Sequence, residues 1–312
     1  MCGMRRATFV TLLLLVLAVP RPAHAWGFVA HKLIMSKAIE LLPPQLKPFF
    51  EANRNELVVR AVDPDTWRTA GFIEEPPHHF IDIDNYGKYP FTEIPHDYDA
   101  AVLKFGIDRL NQNGTLPWRA EEEFGNLRRA FEMYKRFTPV VEGGTDLRAA
   151  AGGVFAANDV ILFSGVAAHY IMDAHVPLHG VANYDGQFTQ QRGVHSRWED
   201  QLFTRYQNEF KIAPQAIAPI TNAREFVFDR VLEDSQLVPA LLKADLDAIG
   251  DRDVYDDAYY AAFFKAQRAT MEDRLNKSIA AVAALITGAW EAAGKPTVPV
   301  TAAPPLERRR RQ

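Results

Sequence analysis

Two segments in the second half of the chain carry nitrogen and carboxylate donors at spacings that suit a metal ion. In AHYIMDAHVPLHG, residues 168–180, His169 and Asp173 are four apart. On a helix they project about 40° from one another and can reach one ion. Pro177 then ends that helix, so His179 can swing back toward the same place. His175, six positions after His169, lies about 240° round the helix and faces elsewhere. In GVHSRWED, residues 193–200, His195 and Glu199 repeat the four-residue spacing. One such pair is commonplace as a surface hydrogen bond, but two joined by a short link with another His after a Pro rarely arise by chance. Imidazole and carboxylate without sulfur suit zinc or another first-row divalent ion.

Two further pieces could close the site. In RAVDPDTWR and PPHHFIDID, residues 60–68 and 76–84, an Asp that ends a helix is followed by a His in an irregular segment. Spacing alone does not choose between Asp63 and Asp65, or between His78 and His79, and Asp63-Pro64-Asp65 reads equally well as turn chemistry. The other piece is WGFVAHKLIM. Before it lie Arg5 and Arg6, an apolar run from Phe9 to Val19, and Ala23-His24-Ala25, the pattern of a secretory signal cut after Ala25. That run is too short to span a bilayer, which takes roughly 20 residues. The expected product is secreted or periplasmic, with no transmembrane anchor. Cleavage would free an α-amino group on Trp26, whose ordinary pKa of about 7.7–8.0 permits metal binding near neutral pH. Amine and adjacent carbonyl would form a five-membered chelate, and His31, at a helix start, could complete it.

The elements that must position these groups read as helices. Periodicity places them at roughly 29–42, 44–60, 96–112, 118–137, 146–175, 194–211, 222–247 and 253–293. Residues 76–95 are irregular, with room for one short extended piece. From Lys295 the composition turns to Pro, Thr, Val and Ala and ends in ERRRRQ, a disordered, solvated tail. A composition of 48% hydrophobic and 24% charged residues excludes collagen, coiled coil and low complexity. The expectation is a single all-α domain over 26–294. Losing residues 1–25 removes three arginines and leaves 32 basic against 39 acidic residues, a formal −7; residues 26–294 alone carry −11. An acidic body disfavours polyanions in general, although bound cations could make one cleft locally positive. The only cysteine, Cys2, departs with the signal, so metal rather than disulfide is the available staple. Seven of the eight remaining histidines fall in the segments above.

An N-terminal Trp after signal cleavage, WGxxxH, HFID, HxxxDxxxxxH with PLH, and HxxxE, in that order from Trp26 to Glu199, resemble the superfamily of zinc-dependent phospholipase C and the fungal and plant single-strand-specific nucleases. The resemblance implies a single compact multi-helix domain around a cleft with three zinc ions. It also implies hydrolysis of phosphate esters by metal-activated hydroxide. Carried over position by position, Trp26 and His31 would hold one zinc shared with Asp173. His79, His169 and Asp173, with Asp65 beside them, would hold the second, and His179, His195 and Glu199 the third. The motif positions favour His79 over His78 and Asp65 over Asp63, and they cast Asp65 as the residue that orients or deprotonates the attacking water. The resemblance implies a phospholipid or a nucleic acid as substrate. Glu199 is phospholipase-like where the nucleases use Asp; the five-residue step from Trp26 to His31 is nuclease-like. Val29 and Thr66 stand where choline-specific phospholipases carry an acidic residue and a Tyr, which argues against choline specificity. A phospholipase C-like phosphodiesterase is the leading expectation, a single-strand endonuclease or 3'-nucleotidase the second, and a non-enzymatic zinc-stapled scaffold the third.

Overall fold

The computed structural model describes residues 26–143 and 147–298. The segment read as a secretory signal and most of the expected tail lie outside the described residues. Within them there are helices and turns but no β-strand, as the sequence pattern and the all-α expectation require.

Helix α1 (Phe28–Leu41) buries Ile34, Met35, Ala38 and Ile39 and stops where Pro43-Pro44 forbids another turn. The single helix expected over 44–60 is two, α2 (Lys47–Ala52) and α3 (Arg54–Arg60). They part at Asn53, whose side-chain amide donates to the Phe49 carbonyl at 2.7 Å. Asp63 and Asp65 do not end a helix; they open one, α4 (Asp63–Ala70), with Pro64 in its first turn and both carboxylates at the positive end of the dipole. The 76–95 stretch holds two 3-10 turns, Pro76–His79 and Ile83–Tyr86. Its backbone is anchored by Ile81 N–H to the His179 carbonyl (2.9 Å) and Asp82 N–H to that of Asn113 (2.7 Å).

Beyond it, Gly106 at φ 82° splits the expected 96–112 helix into α5 (Tyr98–Phe105) and α6 (Ile107–Asn113). The long helices α7 (Leu116–Gly143) and α8 (Leu147–Asp173) form a hairpin and pack along one another. The 194–211 segment is Val194–Ser196 (α9), a π-helical turn Arg197–Leu202, and Phe203–Tyr206 (α10), so it ends five residues early. The 222–247 segment breaks at Gln236–Leu237 into α11 (Ala223–Ser235) and α12 (Val238–Ile249), the latter with a Pro in its first turn. Helix α13 (Asp257–Ala292) closes the fold, capped by the Asp256 carboxylate accepting from Tyr259 N–H at 2.8 Å. Residues 295–298 lie against its end, where the Trp290 indole donates to the Pro296 carbonyl at 2.8 Å.

Helix α8 is the axis of the molecule and touches α1, α3, α4, α7 and α13. Its stretch Gly152–Asp173 is long and apolar enough to cross a membrane, but two thirds of that apolar window is buried within the fold. Apolar surface on nearly all sides is what a helix in the middle of a bundle requires.

Candidate metal centre

The last turn of α8 delivers His169 and Asp173, both fully buried. Gly165, one turn earlier, lets α3 come close: a Cβ there would lie 2.4 Å from Cβ of Arg60. That approach brings the Ala61 carbonyl to His169, whose Nδ1–H donates to it at 2.9 Å and so turns Nε2 toward the site, 3.1 Å from His79 Nδ1. The two oxygens of Asp173 face different partners. Oδ1 is 3.3 Å from His31 Nε2, while Oδ2 is 2.9 Å from His79 Nδ1 and 3.3 Å from His169 Nε2. The His31 and His169 rings stack at 4.3 Å.

Trp26 anchors the start of the described chain to the same place. Its indole N–H donates to the Met172 carbonyl at 2.9 Å, and its ring packs on Trp198 at 5.3 Å. The Trp26 carbonyl accepts from His31 Nδ1–H, which turns Nε2 of that ring toward Asp173. The Trp26 nitrogen is 3.0 Å from Glu199 Oε2. As a peptide N–H in the full chain it has no lone pair to offer, and so it donates to a carboxylate.

Asp65 enters from the first turn of α4 and His79 from the end of the first 3-10 turn, with Asp65 Oδ1 at 3.9 Å from His79 Nδ1 and 3.1 Å from Arg68 Nη2. On the far side of the site, His179 and His195 face each other through their Nε2 atoms at 3.1 Å, and Glu199 Oε2 is 2.9 Å from His195 and 3.6 Å from His179. His179 Nδ1, 3.9 Å from Asp173 Oδ1, joins this trio to the rest.

Among the described residues three groups of donors thus gather: His31, His169 and Asp173; Asp65, His79 and His169; His179, His195 and Glu199, the atoms within each group lying within 4.8 Å of one another. They suit cations for two reasons. Buried polar atoms are normally paired, yet His31 Nε2, both Asp65 oxygens, Asp173 Oδ1, His179 Nδ1, His195 Nδ1 and Glu199 Oε1 have no aligned hydrogen bond among the described residues, and at most the ion-pair approaches given above. Charge is also unbalanced. Burial pushes Glu199 up to about 8, burial lowers His195 to about 4, and burial likewise lowers His31 and His179. Asp173 runs the other way: burial opposes its charge, but His169 and His179 hold it well below the usual carboxylate range. Burial thus favours the neutral imidazole of His31, His179 and His195, the form in which a histidine binds a cation.

Sequence spacing leaves Asp63 or Asp65 and His78 or His79 open, and the structure separates each pair. Asp63 turns outward to Arg60 at 3.1 Å, and the partly exposed His78 Nδ1 lies 3.6 Å from Glu75 Oε2. His175 is buried away from the cluster, beside Phe226. Three orienting residues have no counterpart in the motifs. Glu75 lies 3.4 Å from His79 Nε2 and accepts from the Tyr170 hydroxyl, and the Arg119 guanidinium sits over the Tyr170 ring at 5.2 Å. Burial opposes charge on His79, but Asp173 and Glu75 hold it up at about 9. Of the three, only Glu75 left a trace in sequence, four residues before His79.

A cavity of about 190 Å³ opens over the cluster, with Arg68, His79, His179 and His195 at its polar end and Pro76, Phe80, Leu178 and Tyr184 as walls. The family described as zinc dependent phospholipase C matches residues 30–236, about two thirds of the chain. No curated protein matches it.

Proposed function

The chain belongs to the zinc-dependent phospholipase C family of phosphoric ester hydrolases, and from that membership we propose that it cleaves the headgroup phosphodiester of a phospholipid, releasing diacylglycerol and a phosphorylated headgroup. The observation that carries this reading is the cavity, polar at the cluster end and walled by Pro76, Phe80, Leu178 and Tyr184, which fits a phosphate with an acyl-bearing glycerol behind it.

On this reading three zinc ions would be held, one by Trp26, His31 and Asp173, one by Asp65, His79, His169 and Asp173, and one by His179, His195 and Glu199; the clustering of His31 with Asp173, of Asp65 with His79 and His169, and of His179 with His195 and Glu199 supports it. The two oxygens of Asp173 facing two groups suit a carboxylate shared between ions. Zinc there supplies Lewis acidity, lowering the pKa of water toward about 7 and neutralising charge on phosphoryl oxygens. Asp65, buried and lacking an aligned hydrogen bond to either oxygen, receives the proton that the attacking water loses. Arg68, 3.1 Å from Asp65 Oδ1 and at the cavity wall, holds that carboxylate and offers a cation to the phosphate. Water attacks phosphorus, the bond to the glyceryl oxygen breaks, and that oxygen takes a proton from solvent water as Asp65 returns its own proton to solvent.

In this reading the chain is exported and cut after Ala25, and the freed Trp26 amine then completes the first group. A second reading, a single-strand nuclease, draws on the aromatic rings of Phe80 and Tyr184 at the cavity, on which bases could stack. Zinc-loaded mature protein is incubated with phospholipid vesicles and, separately, with single-stranded DNA. Release of phosphorylated headgroup with intact DNA is the expected result; cleaved DNA with intact vesicles overturns it in favour of the second reading.

A further inference from the structure

We infer that two apolar loop tips beside the cavity dock this protein on an uncharged phospholipid surface and seat the cavity over a headgroup, an inference that rests on the phospholipase reading above. The first tip follows α4. Gly71, at φ 93°, ends the helix in the left-handed conformation that glycine adopts without strain. Phe72 N–H then donates back to the Trp67 carbonyl at 3.2 Å and Glu75 N–H to that of Phe72 at 3.1 Å. This tight turn holds Phe72 and Ile73 outward, 59% and 83% exposed, between Arg68 and Pro76, which both line the cavity.

The second tip carries Phe188, 72% exposed. It is equally well built: Phe188 N–H donates to Asn183 Oδ1 at 2.8 Å, Gln191 N–H to the Gly186 carbonyl at 2.9 Å, and Gly193 N–H to Asp185 Oδ1 at 2.9 Å. Tyr184, four residues before Phe188, lines the cavity. Both tips stand on one platform. The first leads straight into the 76–86 segment, and the second is tied to that segment by Ala182 N–H to Asp84 Oδ1 at 2.9 Å.

Single exposed apolar side chains are ordinary; three presented on rigid turns around one cavity mark a contact surface. Charge selects the occupant. Residues 187–190 carry no ionisable group and the first tip only Glu74 and the buried Glu75, while the body over 26–294 carries a formal −11. That charge repels anionic lipid and a nucleic-acid strand, which needs cations along its path. An uncharged, zwitterionic lipid surface matches tips that insert by apolar contact alone.

The test uses zinc-loaded mature protein, vesicles of mixed phosphatidylcholine and phosphatidylethanolamine for sedimentation, and the dibutyryl forms of both lipids, dispersed as monomers, for activity. Phe72→Ser/Ile73→Ser/Phe188→Ser should lower the vesicle-bound fraction by at least about tenfold while hydrolysis of the dispersed substrate and the melting temperature stay at wild-type values. Leu103→Ser, at a residue 88% exposed and outside these tips, should change neither. Wild-type sedimentation of the triple variant, or an equal loss in Leu103→Ser, overturns the docking surface even if the dispersed lipid is hydrolysed. Loss of single-stranded DNA binding in the triple variant, without loss of vesicle binding, overturns it in favour of a base-stacking platform. Tip-dependent sedimentation by a wild type that hydrolyses neither lipid form instead refutes the phospholipase reading and leaves the docking surface standing.

Discussion

Replacing Glu75 by Ala should weaken zinc binding at the group that contains His79, although Glu75 is not among the donors. Its carboxylate is buried, accepts from the Tyr170 hydroxyl and lies 3.4 Å from His79 Nε2. Alanine leaves two buried donors without an acceptor, at about 1–3 kcal/mol each, and frees the His79 ring to rotate. Loss of such an orienting partner lowers metal affinity by about 10–100-fold, which corresponds to roughly 1.4–2.7 kcal/mol. One effect opposes this: Glu75 helps hold His79 up at about 9, so below that pH its removal also eases proton displacement by the metal. Competition against a zinc chelator near pH 9 isolates orientation, because His79 then has little excess proton to shed. Glu75→Gln, which keeps an acceptor oxygen for one of the two donors, should fall between wild type and Ala. Glu74→Ala, at the exposed neighbour, should do nothing. Zinc affinity of a folded Glu75→Ala protein within twofold of wild type would refute the reasoning.

Asp65→Asn should lower turnover by about 10² or more while most metal stays bound. Asp63→Asn loses a part-buried pair with Arg60 at 3.1 Å and a carboxylate in the first turn of α4, together worth about 1–2 kcal/mol, and should keep its activity; the reverse pattern exchanges their roles. Burial, with Asp84 beside it, pushes Asp82 up to about 7. A carboxyl with a raised native pKa favours the fold while protonated, and that contribution is lost as pH rises from about 4 through 7. Asp82→Asn should therefore melt like wild type at pH 4 and be more stable by about 1–3 kcal/mol at pH 8.5; equal shifts at both pH values would refute the assignment. A recombinant chain with one extra Met before Trp26 should bind one zinc fewer and lose most activity, both restored by removing that Met, as metal analysis and headgroup release will show.

The fold was legible where a helix keeps one apolar phase until a strong stop, as α8 does up to Asp173, with Pro177 just beyond. It was not legible at Asn53, Gly106 or Gln236–Leu237. The apolar phase resumes within a residue or two of each break, so a window of periodicity reads through it. Asp63-Pro64-Asp65 misled for a related reason: the same residues suit a turn and the first turn of a helix. Once Pro64 opens α4, the two aspartates project differently, and only Asp65 turns inward.

The clustering of the candidate site's side chains was legible because their pairing is local: four residues on a helix fix the relative direction of His169 and Asp173, or of His195 and Glu199, whatever else the chain does. What orients them was not. The Ala61 carbonyl reaches His169 across 108 positions, and only because Gly165 admits the backbone of α3; a carbonyl has no residue type by which sequence could single it out. Trp26 lies between these cases. Its side chain is held by Met172, Trp198 and Phe203, so packing alone places its backbone nitrogen beside Glu199. A core tryptophan and a terminal ligand therefore share one sequence signal, and only the protonation chemistry of that nitrogen, amide or amine, separates them. The Met-extended chain keeps the packing and changes that chemistry alone.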